Sequence, residues 1–166
     1  MFWNPVARCI GQDATVRFNS VLLAQPGSSM DIGSSVILDS KGSRTEIVSR
    51  AVSNGGTIIA RGYIEGNVPN VKGHLECRGL MLQGEGMIHA VPELKGNVAD
   101  IDLSHEAAVG KIAEEEIEYL MARGLNRDEA TACIVRGFLK VDIEGLPQEL
   151  NEELNKAIEQ SEKDLM

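Results

Sequence analysis

From Ala14 to Leu103 the chain is a succession of short, β-branched segments broken by glycine. ATVRF, SVLLA, SMDIG, SVILDS, TEIVSRAV, TIIARGYI, HLECRG, LMLQG, GMIHAV and NVADIDLS each read as a strand. Several alternate apolar and polar positions, as half-buried strands do. Starts near Thr15, Met30, Thr45 and Leu75 recur at about fifteen residues or a multiple of it. Many short strands at a regular step, with no helix between them, point to a β-solenoid or a β-sandwich. Six aromatic residues in 166 are few for a sandwich, and the aliphatic Val, Ile, Leu, Ala and Met content suits stacked turns. The solenoid is the favoured reading. A solenoid buries its faces only by stacking, and its ends need covers. Met1–Gly11 reads as an irregular leader, so the expectation is the C-terminal set of turns of a longer solenoid; a second chain over that end is the alternative.

After Gly110 the period changes, which divides the chain into a β region at 1–110 and a helical region at 111–166. Glu114, Glu115 and Glu116 place carboxylates in the first turn of a helix, where the dipole favours them. Ile117, Leu120 and Met121 form its apolar stripe. Gly124 suits the residue after a helix end. Asn126 and Glu129 have the spacing of a capping box for a second helix, with Ala130, Ile134 and Phe138 on its apolar face. Pro147 suits the first turn of a third helix, striped by Leu150, Leu154 and Ile158.

The net charge is −9, and it is uneven. Residues 1–110 hold nine basic and eleven acidic side chains, against seven and fourteen in residues 111–166. Such a tail repels phosphate backbones, which argues against nucleic acid as a partner. It is either a solvated helical surface or a docking face for a basic patch on another protein. Three widely spaced cysteines, Cys9, Cys77 and Cys133, give neither a disulfide framework nor a CxxC motif. The start MFWNPVARC is unlike a signal peptide, and no apolar run is long enough to span a bilayer. A reducing, cytoplasmic setting without membrane attachment is expected.

Three side chains are candidates for soft-metal or sulfur chemistry: Cys77 in HLECRG, and the adjacent His105 and Glu106 in LSHEAA. A thiolate and an imidazole suit iron, zinc or copper, and a carboxylate suits harder metals. On a strand Leu75 and Cys77 share one face, with Glu76 and Arg78 on the other. Arg78 and Lys72 could lower the thiol pKa if they lie close. His105 and Glu106 would point to opposite faces of a strand, and serve one site only if the chain bends there. A bend is expected, because the pair stands at the strand-to-helix junction. The competing reading makes Cys77 a buried small hydrophobe and His105–Glu106 a polar pair at a corner. His74 and His89 rank lower, Cys133 reads as core or helix-interface packing, and Cys9 lacks a partner. GxGxxG, Walker and GxSxG motifs are absent. Asp100 and Asp102 share a strand face, yet nothing marks them as a glycosidic pair, so a carbohydrate-active β-helix ranks last.

SKGSRTEIVSRAV, NGGTIIARGYIEG, NVKGHLECRGLML, VPEL, and above all LSHEAAVGKIAEEEIEYLMARGL with ATACIVRGFL resemble the C-terminal half of the SufB/SufD family, the scaffold proteins of Suf-type iron–sulfur cluster assembly. The likeness runs from about Ala14 to Leu154. It implies a right-handed parallel β-helix followed by a small helical C-terminal subdomain. It implies a non-enzymatic scaffold that pairs through its β-helix, with a SufB/SufD-type mate or with itself. It implies a helical subdomain that docks the ABC-type ATPase SufC, and a separate sulfur donor system. The cluster would be a transient cargo.

Carried over by position, Cys77 falls where the SufB branch has a cysteine implicated in cluster assembly, and His105 and Glu106 fall on a His–Glu pair of that branch. The SufD branch has a cysteine two residues before the histidine, where this chain has Leu103, and tends to glycine where it has Glu106. Both details favour the SufB-like side, with Cys77, His105 and Glu106 as the expected cluster and metal ligands. A dimerisation and ATPase-docking module with no cluster of its own is the alternative.

Overall fold

Two parallel sheets wind around one apolar core. A computed structural model describes residues 1–82, 85–140, 143 and 146–163. Its strands are β1 Phe2–Trp3, β2 Val6–Cys9, β3 Thr15–Ala24, β4 Ser29–Leu38, β5 Arg44–Ser53, β6 Thr57–Gly66, β7 Val71–Met81, β8 Met87–Gly96 and β9 Ile101–Lys111. Three helices follow: α1 Glu114–Met121, α2 Arg127–Leu139 and α3 Gln148–Lys163. One sheet runs β1–β4–β6–β8, with β2 also on β4, and the other runs β3–β5–β7–β9. Successive strands therefore alternate between sheets, and the described residues form a parallel β-solenoid of four turns.

The register explains the fifteen-residue step. One strand and its corner make half a turn. A full turn takes 28 residues from Arg44 to Lys72 and 30 from Val71 to Ile101. Pairs of neighbouring segments that read as separate strands are continuous: ATVRF with SVLLA, SMDIG with SVILDS, and HLECRG with LML each form one strand of ten or eleven residues. The leader differs from the expectation too. Phe2–Trp3 and Val6–Cys9 lie on β4 as a first strand interrupted at Asn4–Pro5. Proline removes a ladder donor, so the strand breaks there and its two pieces are too short to show a period.

Between the sheets, Val36, Leu38, Ile47, Ile64, Val71 and Leu75 form one cluster, and Ala24, Ala51, Ile58, Ala60, Cys77 and Ile88 another. Parallel strands covered on one face by the other sheet bury alternate residues, and β6 shows this without exception along its length. Corners repeat as well as strands. Asp13, Gly42, Asn70 and Asp100 stack at one corner, all with φ between 56° and 77°. Only Gly, Asn and Asp take that left-handed conformation readily, which is why the column contains nothing else. A second column joins side chains: Asn97 donates to Asn67 at 2.5 Å and Asn67 donates to Asp39 at 2.7 Å.

Helices α2 and α3 lie on the outside of the β3–β5–β7–β9 sheet. Val135, Leu139 and Ile158 pack on Val52 and Leu80. The expected capping box is present, with Asn126 accepting from the Glu129 backbone and Glu129 from that of Asn126. Arg127 forks onto Glu114 at 2.5 and 2.8 Å and ties α2 to α1. Within α2 the buried side chains are Ala130, Val135 and Leu139, rotated from the expected Ala130–Ile134–Phe138 line.

Ile64 is fully buried. Ile64→Ala lowers stability by about 2–5 kcal/mol, which a denaturant titration reads as a lower midpoint at unchanged slope. Tyr63 donates to Glu65 at 2.6 Å, and that bond, with burial, pushes the phenol up to about 12. The bond's contribution is complete below the phenol's unfolded value of about 10, and is lost as pH rises towards about 12. Tyr63→Phe removes this alkaline dependence from a pH series of unfolding curves. On the acid side the sign reverses. Hydrogen bonds from Arg61 to Asp31, from Asn67 and Arg8 to Asp39, and from Tyr63 and Lys95 to Glu65 lower those carboxyl pKa values, so their contribution fades as pH falls through the lowered range.

Candidate functional site

Strand β7 carries Cys77, and its burial alternates between inner and outer positions from Val71 to Gly79. Val71, Gly73, Leu75, Cys77 and Gly79 face inward; Lys72, His74, Glu76 and Arg78 face outward. Cys77 is 3% exposed and packs with Ala51, Ala60, Ile58 and Ile88. Burial, and then the charge of Glu76, push its thiol pKa up. Arg78 and Lys72, which could have lowered it had they lain close, both point away from the thiol's face, and desolvation dominates.

Strand β9 pairs with β7 residue for residue, so paired side chains share a face: Leu75 with His105, Glu76 with Glu106, Cys77 with Ala107. Packing supports the assignment, because a Cβ on Gly73 would meet Leu103 and one on Gly79 would meet Val109, both on β9. His105 is thus an inward-face residue on the neighbouring strand, two positions before the partner of Cys77. Strand spacing of about 4.8 Å and a rise of about 3.3 Å per residue put their Cα atoms about 8 Å apart on a diagonal. His105 is nonetheless exposed, because β9 is the last described strand of its sheet.

The expected bend at His105–Glu106 is absent. Strand β9 continues from Ile101 to Lys111, six positions past His105, before the first helix begins. Ala107, Ala108 and Val109 prolong the ladder opposite Cys77, Arg78 and Gly79, so the junction falls later than the motif. As a result Glu106 faces outward, away from Cys77 and His105. Its carboxylate lies 3.8 Å from Arg78. Among the described residues no group of three or more His, Cys, Asp or Glu side chains is arranged to hold a metal ion.

The remaining candidates are placed apart from this pair. His74 faces outward and shares a 2.9 Å hydrogen bond with Ser104. His89 pairs with Ile59 in the other sheet. Cys9 is buried on β2, opposite Leu38, instead of lying in an irregular leader. Cys133 is exposed, contrary to the expected helix-interface position; the buried line of α2 passes through Ala130, Val135 and Leu139. One feature was missed. Glu76, with its side chain 15% exposed, lies 3.0 Å from Arg50 and 3.0 Å from Arg78. Strand alternation already put Glu76 and Arg78 on one face, but Arg50 enters only through the register.

The family profile for the SUF system FeS cluster assembly, SufBD core domain, matches residues 2–138. The chain belongs to the SufBD family. It is 55% identical over 157 residues to an iron–sulfur cluster assembly SufBD family protein of Archaeoglobus fulgidus, covering 95% of this chain and 42% of that protein. A Methanothermobacter thermautotrophicus relative of the same description is 54% identical over 160 residues, covering 96% and 39%. One from Staphylococcus epidermidis is 34% identical over 152 residues, covering 90% and 33%. This SufBD chain thus spans about two fifths of the length of the archaeal relatives. No helix of the described residues is long and apolar enough to cross a membrane.

The burial difference among the cysteines is directly measurable. Alkylation of the native protein near neutral pH consumes Cys133 first, with Cys9 and Cys77 slower by about tenfold or more; peptide mass spectrometry over a time course reads the order.

Proposed function

We propose that this SufBD chain is part of a scaffold on which an iron–sulfur cluster is assembled, with Cys77 and His105 as the ligand pair it contributes. One observation carries the reading: the register sets the thiol and the imidazole as diagonal neighbours on the inward face at the end of the described turns. Cys77 as thiolate attacks the outer, sulfane sulfur of a donor persulfide, whose own thiolate leaves, or ligates iron directly; His105 supplies a nitrogen ligand. Two ligands do not complete a site, so further ligands come from a second protomer. Strands β8 and β9 end their sheets, and edge strands template pairing with another chain. The mate is a SufB/SufD-type subunit or a second copy, seated over that end. Mixed thiolate and imidazole ligation holds a cluster less tightly than four thiolates, as a cargo that must be released requires. The scaffold has no reaction of its own and works in the cytoplasm.

The helices supply the second contact. Helices α1 and α2 carry Glu114, Glu115, Glu116, Asp128 and Glu129 in their first turns. A basic patch on an ABC-type ATPase of the SufC kind complements that surface, and the sulfur reaches Cys77 from a separate donor system. A second reading has its own support. Cys77 is almost fully buried and its thiol pKa is raised, which suits a dimerisation and ATPase-docking module without a cluster.

Reconstitution decides between them. In the intact protein, paired with its mate and supplied anaerobically with iron(III), a thiol reductant and sulfide, Cys77→Ser lowers cluster absorption in the visible by about tenfold or more, and His105→Ala lowers it comparably. Full occupancy in Cys77→Ser would leave the docking module as the correct description.

A further inference from the structure

The outer face of the β3–β5–β7–β9 sheet carries a compact set of four charges beside the Cys77 level. Arg50 stands on β5, Glu76 and Arg78 on β7, and Glu106 on β9. The register sets like against like: Arg50 is opposite Arg78, and Glu76 is opposite Glu106. Like charges directly across a sheet are destabilising. The attractions run diagonally and along the strand instead. Arg50 Nη2 and Arg78 Nε each lie 3.0 Å from Glu76 Oε1, and Arg78 Nη2 lies 3.8 Å from Glu106 Oε1. The side chains of Arg50 and Glu76 are only 18% and 15% exposed, so salt screens this pair far less than a surface pair. Among the described residues Arg78 is the one cation within ion-pair distance of both carboxylates. Without it, Glu106 meets Glu76 across the β7–β9 ladder at the pair adjoining Cys77–Ala107.

We infer that Glu106 is a positioning residue and not a ligand. Through Arg78 it fastens β9 to β7 beside Cys77, and so keeps His105 in register on the opposite face. The inference rests on the reading of Cys77 and His105 as the ligand pair. Two observations support it. Glu106 points to the face that Cys77 and His105 do not occupy. A cation bound at its carboxylate would also sit beside the Arg78 guanidinium, which repels it.

The test uses the intact protein and two readouts, the alkylation rate of Cys77 in the iron-free state and cluster absorption after anaerobic reconstitution with iron(III), a thiol reductant and sulfide. Arg78→Gln leaves the two carboxylates facing each other, loosens β9 and raises the Cys77 alkylation rate about three- to fivefold. Glu106→Gln keeps an oxygen that accepts from Arg78 and removes the charge that faces Glu76, so the rate stays within about twofold of the unaltered protein and the spectrum keeps its shape, whereas Glu106→Ala loses the link and raises the rate about three- to fivefold. The exchange Arg78→Glu with Glu106→Arg sets opposite charges directly across both strand pairs, and returns both readouts to within about twofold. That rescue is beyond a carboxylate ligand, because a guanidinium does not bind iron. Two results overturn the inference: a Cys77 rate that Arg78→Gln leaves unchanged, or an exchanged protein with a normal Cys77 rate and no cluster absorption. If the unaltered protein forms no cluster, the ligand-pair reading fails, and the alkylation series still decides whether Glu106 and Arg78 hold the strand. Glu106→Ala, which removes the same link from the β9 side, serves where Arg78→Gln does not fold, and an unchanged Cys77 rate in it overturns the inference equally.

Discussion

In-register parallel stacking is the constraint on which the rest of this structure depends. A single turn of a solenoid cannot bury its own inner face; the next turn must cover it. Each side chain therefore inherits its surroundings from the residues about one turn before and after it. Val48 lies between Asn19 and Glu76, and Ser49 between Ser20 and Cys77. The two sheets then close on one another at fixed levels. The cavity a Cβ on Gly62 would need is filled by Leu75, and that beside Gly73 by Ile64 and Leu103. Large residues face small ones across the core, which lets aliphatic side chains fill it with few aromatics.

The same stacking organises the polar surface into short ladders. Arg61 meets Asp31, Lys95 meets Glu65, Lys72 meets Asp102 and Arg17 meets Glu46, each pair one turn apart. Most of these charges are well exposed, and such pairs contribute at most about 1 kcal/mol each. They select the register more than they stabilise it. A slip of one residue would move the buried Ile and Val of the inner face to the outer face, and would break these pairs at the same time.

How much of this was legible before the coordinates depended on the range of the interaction. The capping box at Asn126 and Glu129, the first-turn carboxylates of α1 and the alternation of Leu75–Cys77 with Glu76–Arg78 are local, and all three are present as read. The β-solenoid was legible because its repeat recurs. What failed was set by residues far away in sequence. Cys9 is buried because Leu38 lies beside it. His105 and Glu106 part company because the ladder with Leu75 and Glu76 carries β9 past them. In sequence, SHEAAVGK has the small residues of a chain about to turn; in the fold those residues are the partners of Cys77, Arg78 and Gly79. Cys133 lies outside the buried line because α2 docks along Val135 and Leu139, and a helix of this composition offers two nearby apolar lines.

Cys77 lies one strand in from the end of its sheet, and that depth matters for the proposed chemistry. A thiol on an edge strand would meet solvent and oxidants; one at the centre of the stack would need several turns to part before it met anything. At one strand deep, Cys77 is covered by β9 alone on that side, and edge strands open at lower free energy than central ones. Desolvation, and then the charge of Glu76, disfavour the thiolate while the turn is closed. A thiolate, the form that takes sulfur or iron, is favoured only when water or a cation reaches it. Access and reactivity are then the same event, governed by how firmly β9 is held. A solenoid supplies this arrangement only at its ends, and Cys77, the thiol of the proposed site, lies next to the last described strand of its sheet and not in the middle of the stack.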